Sequence, residues 1–156
     1  QLYDPLVTST TDNLSSDQLS RSKRIVKEKA EEMSPNVVES FIEQSWDHFN
    51  VNEERTFKQR FWQNIMFRNA NAPNFLMIGS NDGEDFFDIQ DETLPWMNYA
   101  KTVGANIFLL EHRYYGESKL GTNFLQYLTS SQMIYDIATF IRTQQVKFNR
   151  TGAWIT

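Results

Sequence analysis

Two histidines, each beside a carboxylate, are the first candidates for chemistry in this sequence. His48 follows Asp47 and His112 follows Glu111, and both residue types can bind metals or move protons. The two pairs are far apart in the chain, and neither shows a metal-ligand spacing such as HExxH. The chain has no cysteine, which excludes disulfides, thiol catalysis and cysteine-bound zinc. We therefore predict locally hydrogen-bonded histidines, with no metal and no other cofactor.

Ser118 is the serine whose surroundings come nearest to those of a nucleophile. A catalytic serine on a parallel sheet sits in a GxSxG elbow, because the glycines permit the strained turn that exposes its hydroxyl. Gly116 stands two residues before Ser118, but Leu120 occupies the place of the second glycine. We predict a structural turn at Ser118 rather than a nucleophile.

A polar cluster at residues 79–83 directly follows a predicted strand. In hydrolases built on parallel sheets, the loop at this place gives one backbone N–H to the oxyanion hole. Ser80, Asn81, Asp82 and Gly83 are therefore candidates for such a loop. A simple Gly/Asn/Asp turn explains the same residues equally well, and both interpretations stay open.

Two acceptor sequons for N-glycosylation occur, at Asn13 and at Asn149. Both have the Asn-x-Ser/Thr pattern, with no proline in the middle. Two sequons arise readily by chance in a chain of this length. They are compatible with a secretory protein and do not establish one.

Composition excludes several function classes. The 156 residues include 15 Lys+Arg against 20 Asp+Glu, for a net charge of -5. Binding to nucleic acid or to an anionic membrane needs clustered positive charge, so neither partner is expected. No apolar run has the length of a membrane span, and no signal-peptide pattern is present. The chain begins with Gln1 rather than Met, which suggests a processed or cut start.

The periodicity of apolar residues predicts the elements that would position these groups. A polar tail over 1–16 precedes a helix over Asp17–Met33. Further along, two alternating stretches indicate a hairpin, and short continuous apolar runs indicate buried strands separated by amphipathic helices. The predicted elements are strands within 37–49 and 56–67, a strand over 75–78, a helix over 94–103, a strand over 105–110, a helix over 130–147 and a last apolar run over 153–156.

Alternation of buried strands with helices is typical of a parallel α/β sheet. The last strand has no helix after it, so the sheet would be left with an uncovered face and edge. We therefore expect the chain to be a fragment, one part of a larger α/β fold.

Four strings together carry a family resemblance: QSWDHFN (44–50), TFKQRFWQN (56–64), FLMIG (75–79) and EHRYYGES (111–118). In order and spacing they resemble the serine exopeptidases typified by lysosomal Pro-X carboxypeptidase, dipeptidyl peptidase II and thymus-specific serine protease. The helix string YLTSSQMIYDIATFI (127–141) and the final AWIT are similar as well. The resemblance covers about residues 41–156.

The resemblance implies a partial α/β-hydrolase fold and, for the parent protein, hydrolysis of peptides near one terminus in a secreted or lysosomal setting. The triad would follow the chain order Ser, Asp, His. In the family, the strand matching 153–156 runs directly into the nucleophile elbow. No residue of this chain is therefore expected to be catalytic, and the chain alone is expected to be inactive.

Only supporting roles carry over to residues of this chain. The resemblance implies that Glu111, His112, Arg113, Tyr114, Tyr115 and Gly116 brace the loops around the active site. It also places Ser80 as an extra residue in the oxyanion loop, with Asp82 where the family usually has Glu, which puts that loop's role in question.

For domain organisation we predict a division near residue 36. Residues 37–156 would be the N-terminal half of a peptidase domain. Residues 1–36, with LYDP and a basic helix, resemble the C-terminal end of a preceding peptidase unit, and an ordinary N-terminal extension is the alternative. A tandem unit or a homodimer is then conceivable. The alternative to an enzyme part is a non-catalytic α/β-hydrolase-like binding or structural module.

Overall fold

A mixed five-stranded sheet organises the computed structural model, which describes residues 33–66, 69–79, 86–121 and 125–156. Residues 34–156 form one compact unit. The strands are β1 (Val37–Ser45), β2 (Thr56–Asn64), β3 (Asn74–Ile78), β4 (Asn106–Leu110) and β5 (Trp154–Ile155). The predicted helix over Asp17–Met33 lies outside the described residues apart from Met33.

The strand order is β1-β2-β4-β3-β5. β1 pairs with β2 and β2 with β4 in antiparallel fashion, as the predicted hairpin requires. β3 pairs with both β4 and β5 in parallel. Parallel neighbours need crossover connections, and two helices among the described residues provide them. The predicted α/β class, with a partial parallel sheet, is confirmed.

Helix α1 (Pro95–Val103) connects β3 to β4. Pro95 occupies its first turn, where the missing N–H costs nothing. Gly104 ends it in a left-handed conformation, with φ of 65°. The Ala105 N–H then reaches back to the Ala100 carbonyl at 2.8 Å, which is the six-to-one bond of a Schellman cap. The predicted helix end at Gly104 is confirmed.

Helix α2 (Ser130–Phe148) connects β4 to β5. The Thr129 side chain caps it by accepting the Gln132 N–H at 3.2 Å. Its apolar face covers one side of the sheet, where Phe140 packs edge-to-face with Phe61 and Phe108 at centroid distances of 5.0 and 5.6 Å. On the other side, Phe75 of β3 stacks on Trp96 of α1. Alternate residues of a strand point to opposite faces, so each face of the parallel strands has a helix packed against it, whereas Phe41 of β1 stays exposed.

Buried asparagines tie the amino ends of the parallel strands together. Asn106 Nδ2 donates to the Asn69 carbonyl at 2.6 Å and to Asn74 Oδ1 at 3.0 Å. Asn74 Nδ2 donates to the Gly152 carbonyl at 3.1 Å. These bonds satisfy polar groups that burial would otherwise leave unpaired. They fix the ends of β3, β4 and β5 relative to one another.

Candidate active-site framework

The carboxyl ends of the parallel strands lie at one edge of the sheet. Gly79 follows β3, Glu111 follows β4 and Thr156 follows β5. The first two strand ends approach closely, because the Gly79 N–H donates to the Leu110 carbonyl at 2.8 Å. A Cβ on Gly79 would lie 3.3 Å from the Glu111 Cα. In open α/β sheets, ligands bind outside the carboxyl ends of the strands, so this edge is the candidate site.

Glu111 holds the loop that follows β4. Its carboxylate is fully buried. Oε1 accepts from Arg60 Nη2 at 2.7 Å, and Oε2 accepts from the Ser118 hydroxyl at 2.6 Å and the Ser118 N–H at 2.9 Å. The Glu117 N–H adds a fourth bond at 3.0 Å. A buried carboxylate needs a cation and further donors of this kind, and these bonds close residues 111–118 into one tight loop.

Two residues of this loop adopt left-handed conformations. Tyr114 has φ of 76° and Gly116 has φ of 49°. A Cβ on Gly116 would fall 1.7 Å from Glu111 Oε1, so only glycine fits there. A positive φ at an aromatic residue is strained, and it persists only where the surroundings enforce it.

Arg113 is the second anchor of the loop. The fully buried guanidinium donates to both carboxylate oxygens of Asp136, through Nε at 2.7 Å and Nη2 at 2.8 Å. It also donates to three backbone carbonyls: Trp46 at 3.1 Å, Ser45 at 3.2 Å and Tyr127 at 3.2 Å. All five N–H donors of the side chain are therefore used. No other amino-acid side chain has five donors.

Asp136 joins a third segment to this anchor. Its Oδ1 lies 2.7 Å from His48 Nε2, so one carboxylate of α2 connects the loop after β4 with the segment after β1. The sequence reasoning did not single out Asp136. A signal was present, because Asp136 lies between Met133 and Phe140 on the apolar face of the helix, where a charged residue needs a buried partner.

Two glutamines link the anchors. Gln44 Nε2 donates to Gln59 Oε1 at 2.8 Å and to the Asp136 carbonyl at 3.0 Å. Gln59 Nε2 donates to the Glu111 carbonyl at 2.8 Å. Both glutamines are buried, and the sequence reasoning missed their roles too. The strings 44–50, 56–64, 111–118 and the helix string 127–141 thus converge on one network.

Three further candidate residues, Ser118, His112 and Tyr114, lie in or beside this loop. Ser118 is buried, and its hydroxyl accepts the Arg60 N–H at 2.9 Å while donating to Glu111. His112 is half-buried, with Nδ1 2.9 Å from the Arg113 carbonyl and its ring against Tyr115. Burial raises the pKa of the Tyr114 phenol, and a backbone hydrogen bond from Tyr127 opposes that shift.

Several predicted residues lie outside the described part of the chain. They are Asn13 and the oxyanion-loop candidates Ser80, Asn81, Asp82 and Gly83. Asn149 is described, and it is exposed at the left-handed cap of α2. Within the described residues, no group of three or more His, Cys, Asp or Glu could hold a metal. No described helix is long and apolar enough to cross a membrane.

Known proteins are similar to the part of the chain that contains this polar network. Residues 44–156 match the family model described as serine carboxypeptidase S28. A Caenorhabditis elegans protein named as a serine protease is 37% identical over 127 residues, which cover 78% of this chain and 25% of that protein. Human lysosomal Pro-X carboxypeptidase is 31% identical over 109 residues, covering 65% and 22%.

The chain spans about a quarter of the length of the curated relatives it matches. Among solved structures, esterase B from Lactobacillus rhamnosis overlaps with a TM-score of 0.35 and 15% identity, over 87% of this chain and 40% of that one. The family match covers well over half of the chain. The chain belongs to the serine carboxypeptidase S28 family.

Proposed function

We propose that this chain is the sheet-forming and loop-bracing part of a serine exopeptidase of the prolyl carboxypeptidase or dipeptidyl peptidase class. The observation that carries the proposal is the locked loop 111–118 at the carboxyl edge of β4. Glu111 accepts four hydrogen bonds there, and Arg113 donates five. Such rigidity suits a wall of an active site, where small displacements lower the rate strongly.

The position of β5 supports the same interpretation. A hydrolase nucleophile sits on a sharp turn between a strand and a helix, at the carboxyl end of the strand. The carboxyl end of β5 lies at the same edge as Gly79 and Glu111, because β5 runs parallel to β3 and β3 to β4. A serine following Thr156 in a longer protein would stand at the same edge of the sheet as the braced loop, with the end of β3 between them.

No described residue is proposed as nucleophile, acid or base. The Ser118 hydroxyl is occupied by Glu111 and by the backbone of Arg60. His48 is bonded to Asp136, which is itself held by Arg113. Loss of a whole triad costs on the order of a millionfold in kcat in serine proteases, so we expect no measurable peptidase activity from these 156 residues alone.

Substrates and compartment follow as further parts of the proposal. Peptides with accessible termini are the expected partners of the longer protein, in keeping with the carboxypeptidase names of the family and of its human relative. A lysosomal or secreted location agrees with that relative's name. The exposed position of Asn149 would allow a glycan there. Residues 1–36 are proposed as the end of a preceding peptidase unit, with residues 37–156 opening the next.

A fluorophosphonate probe tests the proposal. The longer protein that contains this chain should be labelled and the 156-residue chain should not, since the probe reacts with an activated serine. Ser118→Ala in the longer protein should not abolish labelling, because the probe would react at a different serine. Labelling of the short chain at Ser118 would contradict the assignment, and an unlabelled longer protein would instead support a non-catalytic module.

Peptide digestion then separates the exopeptidase classes. Substrates blocked at the N-terminus should be trimmed by a carboxypeptidase, and substrates blocked at the C-terminus by a dipeptidyl peptidase, with mass spectrometry identifying the released residue or dipeptide. Cleavage of doubly blocked peptides would show an endopeptidase and would refute the exopeptidase class.

A further inference from the structure

Tyr114 is held in a backbone conformation that tyrosine rarely adopts. Its φ of 76° lies in the left-handed region, where a Cβ crowds the following carbonyl oxygen. Within the described residues, the other non-glycine residue with a positive φ is Asn149. Asparagine tolerates this region because its short polar side chain can bond locally, whereas an aromatic side chain does not. Glycine would suit the backbone at position 114 better, so the tyrosine side chain needs a role of its own.

Neighbouring groups fix this backbone on both sides of one peptide. The Tyr114 N–H donates to the Ser118 carbonyl at 2.8 Å. The Arg113 carbonyl lies 2.9 Å from His112 Nδ1, and the Arg113 guanidinium is held by Asp136. Strained conformations persist only where the surroundings enforce them, and they cluster at functional sites.

The Tyr114 phenol has a backbone partner outside its own loop. The Tyr127 N–H donates to the phenol oxygen. Tyr127 belongs to the single 3₁₀ turn Leu125–Tyr127, which lies just before α2. The first N–H groups of a helix have no partner within that helix. Tyr114 therefore accepts a hydrogen bond that the turn itself cannot accept.

Tyr127 is held by two consecutive residues of the loop after β4. Arg113 Nη1 donates to its carbonyl at 3.2 Å, and Tyr114 accepts from its N–H. The Tyr127 ring packs edge-on against Trp46, with the ring centroids 6.3 Å apart. Trp46 follows β1, which ends at the same edge of the sheet as β4 because both strands pair antiparallel with β2. These contacts join the loop 111–118 to the turn 125–127 at the edge that carries the candidate site.

We propose that Tyr114 is a positioning residue of the peptidase, which fixes the turn 125–127 against the loop 111–118. The strained backbone persists because it places the phenol oxygen at the Tyr127 N–H. This role rests on the proposed peptidase function, since it concerns a wall of that active site. Tyr114 touches no reacting atom. It acts through the wall, and misplacement of a substrate by about 1 Å can cost about 100-fold in rate.

Hydrogen exchange followed by mass spectrometry tests the contact in the longer protein that contains this chain. Overlapping peptides across residues 125–129 resolve the Tyr127 amide. Tyr114→Phe keeps the ring and removes the acceptor oxygen, so the Tyr127 amide should exchange faster than in the wild type. The Leu128 amide, which donates to the Leu125 carbonyl within the turn, is the control in the same peptides and should change less.

The activity of the longer protein tests the positioning role. Fluorophosphonate titration counts the competent sites, so kcat is expressed per titrated site and any loss of folded protein is excluded. Tyr114→Phe should lower this kcat about tenfold, because bound substrate is held less often in the reactive orientation. The ratio kcat/KM should fall by the same factor, since substrate binding itself is not lost.

Matched variants separate backbone strain from positioning. Tyr114→Gly and Tyr114→Ala both remove the phenol, but only glycine relieves the left-handed strain. Tyr114→Gly should therefore melt at a higher temperature than Tyr114→Ala, while kcat per titrated site stays low in both. Asn149→Gly and Asn149→Ala make the same comparison at the end of α2, on the side where β5 begins. Both should keep the wild-type kcat.

Three results would overturn the proposal. They are an unchanged exchange rate of the Tyr127 amide in Tyr114→Phe, a wild-type kcat per titrated site in that variant, and a kcat in Tyr114→Gly that recovers together with its melting temperature. The last result would show that stability alone sets the rate. If fluorophosphonate does not label the wild-type longer protein, the proposed peptidase function fails and the positioning role fails with it. A labelled wild type with unaffected Tyr114 variants refutes this inference alone.

Discussion

Neutralising Asp136 should strongly lower the free energy of unfolding. This residue is a carboxylate of α2 that the fold buries completely. The carboxylate accepts two hydrogen bonds from Arg113 and one from His48, and it is fully buried. Asp136→Asn keeps the shape and removes the charge. The guanidinium would then be buried without a counterion, although three backbone carbonyls would still hold it.

The magnitude follows from the burial of both partners. Removing one member of a buried ion pair costs about 3–5 kcal/mol, because the other charge remains uncompensated. Because three backbone carbonyls would still bind Arg113, we expect Asp136→Asn to lower the free energy of unfolding by about 3 kcal/mol, the lower end of this range. An exposed pair offers the control: Lys101 and Glu92 lie 2.6 Å apart, with both side chains about half exposed. Glu92→Gln should cost less than about 1 kcal/mol.

Urea unfolding followed by tryptophan fluorescence measures both variants. Arg113→Met and the Asp136→Asn/Arg113→Met double variant complete a cycle, and the double variant should be less destabilised than the sum of the two single changes. If Asp136→Asn lowers the free energy of unfolding by no more than Glu92→Gln does, or if the two changes simply add, then the pair is not the anchor described above.

Two further expectations concern the loop and the pH dependence. Gly116→Ala should lower the melting temperature much more than Gly104→Ala. A Cβ at Gly116 would collide with Glu111 Oε1, whereas nothing lies within 4 Å of a Cβ at Gly104. Equal melting temperatures of the two variants would contradict the tight packing around Gly116. Hydrogen bonds from Arg55 lower the pKa of Glu53 from 4.5 to about 2, so its stabilising contribution should be complete above pH 4.5 and lost as the pH falls toward 2. Carboxyl NMR titration should show this midpoint, and Arg55→Gln should return it toward 4.5; an unchanged midpoint would refute the cause.

Local patterns predicted most of the elements. The apolar runs near 75–78 and 105–110 became β3 and β4, and the helix ends at Gly104 and near Lys147 lie close to where the spacing put them. These signals are local, since strand burial, helix periodicity and a glycine cap depend on residues within a few turns of the chain.

Local sequence patterns could not predict the buried polar network. Asp136, Gln44 and Gln59 come from α2, β1 and β2, and their partners are dozens of residues away. The charge of Asp136 on an apolar helix face indicates a buried partner, but only the packing of each segment decides which polar group a side chain meets. The oxyanion-loop candidates at 80–83 and the supporting roles of 111–116 in catalysis stay predictions.

The sequence by itself therefore determined the α/β class, the order of the elements and, through four separated strings, the family resemblance. The tertiary structure decided that three of these strings, together with the helix string 127–141, meet in one network that holds the loop 111–118. The physical reason is that register and strand order follow from which faces bury their apolar residues together. A buried ion pair such as Arg113–Asp136 exists only once those faces have met.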